Sequence, residues 1–381
     1  MSAAIAVPER GDAAVMTAFG TEPEVRPVPI PTDVERGALL VQVVCATVCG
    51  TDVHMWNGSI RPRLPVQRGF ILGHECVGRV VRVGEGAEID SVGNQLAVGD
   101  RIVWTGASCG HCVACTIWRH PGLCPSRLGP LSTPVDVFPY VTGAFTEYSY
   151  VYPLSERVLV PDGIPSTWAS AASCALRTAV HAVERAGPCR PTDVAVVQGA
   201  GPVGLCTLAL LHHAGVRTIV IGGPANRLDV ARKWGAAHVL GISDNDPGQR
   251  TEAVRDLAGG HGADLVVEAS GAVSAFGEAL QMVRPGGRVV VAGAVTTDQA
   301  PVPAGLIAAK QLTVAGVWSA RIDHYWQALQ FLVNTRSSFD FGLLISNTYD
   351  LGAVSDALTQ MASGTEIKPV IRTGADTTSE D

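Results

Sequence analysis

Over roughly the first 160 residues the apolar positions come in short β-branched runs bounded by Gly or Asp. LLVQVVCATV at 39–48, CVGRVVRVG at 76–84 and DRIVW at 100–104 lack helical periodicity and read as strands of a β-rich domain. From about residue 170 the pattern changes. Strand-like DVAVVQG, TIVIGG, DLVVEASG and RVVVAG alternate with helical LCTLALLHHAG and RLDVARKWGA, the arrangement of a parallel sheet covered by helices. Past about 320, helical HYWQALQFLV and SDALTQMASG precede a strand-like KPVIR. The expected fold class is α/β, a β-rich domain joined to a doubly wound parallel sheet.

Composition narrows this picture. A chain of 381 residues, 47% of them hydrophobic, is long enough for two or three cores. Its 42 glycines and 24 prolines are spread along the chain, which implies many tight turns and no low-complexity linker, and there is no internal repeat. A formal charge of −7 leaves no basic stripe to meet phosphates, so no nucleic-acid partner is expected. The longest apolar stretch, around 194–211, is too broken by Gly, Pro and Gln to span a bilayer, so no membrane partner is expected. The first twenty residues carry no charged start followed by an apolar signal core, and a soluble cytoplasmic protein is expected.

That compartment bears on the ten cysteines. In CGHCVACTIWRHPGLC two successive two-residue gaps bring Cys109, Cys112 and Cys115 into one short excursion, and Cys124 follows after eight intervening residues. A disulfide reading is open to any even set of cysteines, but a reducing cytosol favours metal. Four thiolates close a tetrahedral shell, so this is expected to be a structural zinc that folds a lobe poor in apolar residues. His111 and His120 then remain as loop residues outside a filled shell.

In DVAVVQGAGPVGLCTLALL, Gly199, Gly201 and Gly204 fall after an apolar strand and before an apolar helix. Glycines there allow a tight turn, close approach of a pyrophosphate and close helix–strand packing, with the helix N-terminus receiving the negative charge. The cradle is expected to involve Gly199, Gly201, Pro202, Val203, Gly204, Gly222, Arg227, Ser270 and Ala292. An NAD site would carry an acid about twenty residues on. Here the second strand ends in Gly222 and Gly223, and Arg227 follows. Either Arg227 meets a 2′-phosphate, giving NAD(P) a slight lean to NADP, or it is a solvated residue of a first helical turn.

The remaining chemistry lies in VCGTDVH, with Cys49, Thr51 and His54, in ILGHECVG, with His74 and Glu75, and at Cys174 ahead of a helix. Cys and His suit a catalytic zinc that keeps one position open. Each residue alone also reads as a half-buried thiol or a core imidazole. Trp56, Trp104 and Trp318 read as core or, for one of them at most, as pocket lining, and Arg177 as a helix-face residue or an anion contact.

Together CGTDVH, GHECVGRVVRVGEGA, VGDRIV, CGHCVAC, GAFTEY, GAGPVG, DLVVEASG and RPGGRVVVAG resemble, in order and over nearly the whole chain, the zinc-dependent medium-chain dehydrogenase/reductase family of alcohol, sorbitol and L-threonine dehydrogenases. The resemblance implies a GroES-like catalytic domain at 1–172 and 317–381, with a zinc lobe at about 106–126. It also implies a Rossmann domain at 173–316 and a homodimer or homotetramer. By the same resemblance Cys49, His74 and Cys174 are catalytic zinc ligands, and Glu75 is an adjacent acid that ligates transiently or orients the shell. Thr51 receives the substrate proton and His54 passes it on. Two zincs per subunit follow. Cys124 arrives one residue later than is usual in the family, and Gly50 stands where some members carry a pyrophosphate-binding arginine.

The implied reaction is hydride transfer between a secondary alcohol and NAD(P), on a polyol, cyclitol, sugar or similar polar metabolite, or the reverse reduction. The rival readings are a zinc-independent quinone or enoyl reductase of the same superfamily and a non-enzymatic nucleotide-binding protein.

Overall fold

The computed structural model describes residues 6–293 and 302–373. The outermost residues of the expected domains, 1–5 and 374–381, and the internal stretch 294–301 lie outside the described residues. The chain divides into two compact units, Met1–Cys174 with Ala320–Asp381, and Ala175–Ser319.

The first unit is built on a seven-stranded sheet. In spatial order its strands are Ile345–Asp350, Lys368–Arg372, Leu39–Thr47, Cys76–Val83, Arg101–Trp104 and Arg157–Leu159, with Tyr148–Val151 also pairing Leu39–Thr47. A smaller sheet joins Glu24–Pro29, Arg10–Met16 and Phe70–Ile71. LLVQVVCATV is buried almost throughout because it is central, with neighbours on both edges and side chains in two cores. The last strand lies antiparallel to it, with Val370 opposite Thr47 and Ile371 opposite Ala46, while Ala46 also faces Cys76. The chain's closing segment thereby comes to lie beside the residues that flank Cys49 and Glu75.

The second unit is a six-stranded parallel sheet in the order His238–Gly241, Arg217–Gly222, Val194–Gln198, Ala263–Glu268, Val283–Val291, Thr313–Gly316. Numbered within the unit this is 3-2-1-4-5-6, the order of a doubly wound dinucleotide fold. The expected α/β class is thus observed. Helices Pro202–His213 and Ala225–Lys233 form where the apolar period predicted them, and Pro247–Leu257 and Ala275–Met282 add to the cover. The period of Pro247–Leu257 is weak, and its start is written instead in Asp246, which accepts from Gln249 N while the Gln249 side chain accepts from Asp246 N.

Candidate metal and cofactor sites

Cys49 follows the central strand Leu39–Thr47 and caps the helix Gly50–Trp56. His74 and Glu75 come just before the strand Cys76–Val83, and Gly73 ahead of them has φ +89°. A Cβ at Gly73 would lie 2.7 Å from Phe145 Cδ1 in the core, so only glycine lets the chain turn there and present His74. Cys174 lies in a π-helical turn, Ala172–Leu176, inside a helical run that starts at Ser166 and continues to Ala186. The sequence reading put Cys174 at the entry of a helix. It sits instead at an interruption within one, a feature that recurs at functional sites because the wider turn re-aims a side chain.

Cys49 Sγ, His74, Glu75 and Cys174 Sγ offer ligand atoms all within 4.8 Å of one another. The two sulfurs are 4.0 Å apart, and Cys174 Sγ is 3.8 Å from His74 Nε2. Thiolates about 2.3 Å from a tetrahedral ion stand about 3.8 Å from each other, so the spacing fits one ion held by Cys49, His74 and Cys174. The electrostatics fit as well. The neighbouring Cys174 thiol and burial push Cys49 up to about 11, so the Cys49 thiolate is disfavoured unless a cation lies beside it. Burial pulls the His74 imidazole down, but Asp52 and the two thiols outweigh it and raise its pKa well above the usual value.

Asp52, which the sequence reading did not single out, ties this set together. Its Oδ1 lies 2.9 Å from His74 Nδ1, and its Oδ2 accepts from Cys49 N at 2.9 Å. One buried carboxylate therefore fixes the ring of one ligand and the backbone of another, leaving Nε2 for metal. The available signal was an acid in the first turn of a helix capped by a ligand cysteine.

Glu75 sits behind the set, fully buried, and its partner is Lys368 of the last strand, also buried. Lys368 Nζ donates to both carboxylate oxygens, at 2.6 Å to Oε1, and to Val48 O at 3.3 Å. Thr47 Oγ1 donates to Glu75 Oε2 at 2.6 Å, and Ser170 Oγ donates to Glu75 O at 3.1 Å. Burial pushes the Glu75 carboxyl up to about 7 against the downward pull of Lys368. Lys368 loses basicity by burial but gains more from Glu75 and the two thiols, so it is held above the usual lysine range. No local pattern pointed to Lys368, since its partner lies 293 positions away in sequence.

Thr51 and His54 sit three residues apart on the short helix, on one face, and both are half-buried. His54 Nδ1 is buried without a partner among the described residues, an orphaned polar atom one helical turn beyond Cys49. Gly50 has open space where a Cβ would stand. Trp56 is tied to Thr21 O through its indole N–H, Trp104 packs against two cores, and Trp318 is 54% exposed. Arg177 is buried at the start of Arg177–Ala186.

In the lobe the four thiols also lie within 4.8 Å of one another, with Cys112 Sγ 3.5 Å from Cys115 Sγ and 3.9 Å from Cys124 Sγ. Backbone N–H groups, that of His111 first, hold Cys109 down to about 6, while burial and then Cys112 push Cys115 up to about 12. A set of thiols that cannot all ionise unaided fits a cation at its centre. His111 and His120 stay outside the set, His111 exposed and turned to Cys109 O.

The glycine turn follows its strand as expected. Gly199 has φ +108°, and a Cβ on Gly204 would lie 1.8 Å from Gly199 O, while one on Gly201 would meet nothing within 4 Å. The first two facts are the tight turn and close helix packing, and the third is the open backbone a phosphate needs. Pro202 and Val203 begin the helix Pro202–His213. Gly222 is dictated by packing, since its Cβ would lie 2.7 Å from Ala200 N. The missing acid thus belongs at Gly223, where a Cβ would have only ordinary contact with Ile242. Arg227 is half-buried in the first turn of Ala225–Lys233. Ser270 and Ala292 lie just past the ends of Ala263–Glu268 and Val283–Val291.

The family model described as alcohol dehydrogenase GroES-like domain matches residues 35–162, and that described as zinc-binding dehydrogenase matches 202–334. A 5-exo-hydroxycamphor dehydrogenase of Pseudomonas putida is 32% identical over 351 residues, 89% of this chain and 92% of its own. A sorbitol dehydrogenase of Bacillus subtilis is 29% identical over 92% of this chain and 94% of its own. The crystal structure of an alcohol dehydrogenase from Thermotoga maritima aligns with TM-score 0.87 at 31% identity, covering 95% of this chain and 99% of that one.

Two outcomes follow from the buried carboxylates. Lys368→Met leaves Glu75 buried without its cation and is expected to lower stability by about 3–5 kcal/mol in urea unfolding. Pairing it with Glu75→Gln should restore much of that loss. Asp52→Asn is expected to weaken metal affinity or turnover by about 10–100-fold with little change in secondary structure. Unchanged metal retention and turnover would show that His74 is oriented by other means.

Proposed function

The chain belongs to the zinc-dependent medium-chain dehydrogenase/reductase family, and from that premise we propose that it is a zinc-dependent dehydrogenase acting on a secondary alcohol with NAD(P). The convergence of Cys49, His74 and Cys174, with His74 oriented by Asp52, carries this reading. At that set, zinc would supply Lewis-acid polarisation of the substrate oxygen, and NAD(P) would take or give the hydride.

The protein's own residues do the rest. Asp52, on Nδ1 of His74, would leave Nε2 free to hold the ion. Thr51 would accept the hydroxyl proton of the alcohol, and His54, one turn on, would pass it onward, a role supported by its Nδ1, which has no partner among the described residues. Glu75, engaged by Lys368 and Thr47, orients the shell from behind. Cys109, Cys112, Cys115 and Cys124 would hold a second, structural zinc. The domains proposed at 1–172 with 317–381 and at 173–316 would supply the metal set and the cofactor cradle respectively.

A secondary alcohol takes support from the similarity to a 5-exo-hydroxycamphor dehydrogenase and to L-threonine 3-dehydrogenases, such as that of Pyrococcus abyssi at 31% identity. A polar substrate takes support from the sorbitol dehydrogenase likeness, and the terpenoid name favours an apolar cyclic alcohol as a second reading. Among the described residues no helix is long and apolar enough to cross a membrane, and all ten cysteines are unbridged, which supports a reducing, cytoplasmic setting. A homodimer or homotetramer completes the proposal on the family resemblance.

Metal analysis and assay of the purified protein with polyols, cyclitols, 3-hydroxy amino acids and cyclic terpene alcohols test this. The expected content is two zincs per chain. Cys49→Ala should lose one of them and all turnover while keeping nucleotide affinity, and full turnover in that variant would overturn the metal-assisted reaction. With Gly223 in place of an acid, the cofactor reading leans slightly to NADP. Arg227→Ala should raise KM for NADPH by about tenfold and leave that for NADH unchanged.

A further inference from the structure

Two acceptors in the second unit are buried without a donor among the described residues, Oε2 of Glu268 and Oε1 of Gln198. Their residues are register partners that close adjacent parallel strands, 1% and 3% exposed. Leaving a carboxylate oxygen and an amide oxygen dry and unmet disfavours folding, and an apolar residue at 268 would avoid most of that penalty.

The other carboxylate oxygen accounts for the glutamate. Glu268 Oε1 accepts from Ser270 N at 2.7 Å, Ser270 Oγ at 2.7 Å and Gly271 N at 2.8 Å, and Ser270 Oγ accepts from Ala272 N at 3.1 Å. Glu268 therefore shapes the turn that follows its own strand. That turn interlocks with two others. A Cβ on Gly199 would lie 2.8 Å from Ser270 N, and one on Gly293 would lie 2.7 Å from Ser270 N and 2.4 Å from Gly271 N. The Glu268 carbonyl holds the third turn directly, accepting from Ala292 N at 2.8 Å and Gly293 N at 3.0 Å.

In a doubly wound sheet the pyrophosphate lies on the glycine turn, here Gly199–Gly204, and the adenosine toward the neighbouring strand, here Arg217–Gly222. The other half of the dinucleotide must then cross the ends of Ala263–Glu268 and Val283–Val291, where the Ser270–Gly271 turn stands. We infer that Glu268 is a positioning residue for the nicotinamide half of the cofactor, acting through the Ser270–Gly271 turn. This rests on the dinucleotide reading above.

Calorimetric titration of the zinc-replete full chain with NADPH, NADH, AMP and adenosine 2′,5′-bisphosphate separates the two halves. Glu268→Met, which removes the acceptor of three donors, is expected to raise Kd for the reduced dinucleotide about tenfold or more while the adenosine fragments stay within about twofold. Glu268→Gln keeps an oxygen for the turn and should recover to within about threefold. Should Glu268→Met fail to fold, Ser270→Ala, whose side chain is exposed, should weaken the dinucleotide several-fold and leave the fragments unaffected. Unchanged dinucleotide affinity in Glu268→Met, or in Ser270→Ala where that variant does not fold, overturns the inference, as does parallel loss of dinucleotide and fragments. Binding of neither nucleotide nor fragment by the wild-type protein would instead overturn the dinucleotide reading, and the inference with it.

Discussion

A lysine and a glutamate buried together beneath a candidate metal-ligand set constrain the rest of the first unit. Neither Glu75 nor Lys368 is tolerable alone in so low a dielectric, and each is acceptable only because the other is in hydrogen-bond contact. The contact requires that the last strand return across nearly the whole sequence to pair with Leu39–Thr47, which brings Thr47 and Val48 into the same network. The ligand cysteine that caps the next helix follows directly. The pair thus couples completion of the sheet to the geometry of the metal set.

Asp52, Glu75 and Glu268 share one structural manner, each a buried carboxylate that accepts from more than one group. Asp52 joins the His74 ring to the Cys49 backbone, Glu75 braces Thr47 and Lys368 at the strand ends, and Glu268 holds the Ser270–Gly271 turn. A carboxylate suits this work because it accepts from several donors at once with charge-assisted bonds, so one side chain can fix two or three groups. Burial gives these bonds their strength and makes each carboxylate costly if a partner is lost.

The glycines divide into those set by packing and those that leave room. Gly73, Gly199, Gly204 and Gly222 exclude a side chain because core or backbone atoms already occupy its place, whereas Gly50 and Gly201 face open space. A motif read from sequence alone cannot distinguish the two kinds. At Gly222 the distinction matters, because the absence of an acid there has a steric cause, whereas Gly223 has room for a side chain.

What the sequence determined by itself was local or periodic. Alternating apolar runs gave the two architectures, cysteine spacing gave the lobe, and the strand–glycine–helix succession gave the phosphate turn, because each depends on neighbours a few residues apart. Cys49, His74 and Cys174 were legible as ligand types, though their meeting within 4.8 Å was implied only by family resemblance. Tertiary structure alone decided the rest. It set Cys174 on a π-helical turn, joined Asp52 to both His74 and Cys49, and paired Lys368 with a carboxylate 293 positions away. A buried charge is chosen by the partner that folding brings to it, and the sequence around Lys368 carries no trace of that partner.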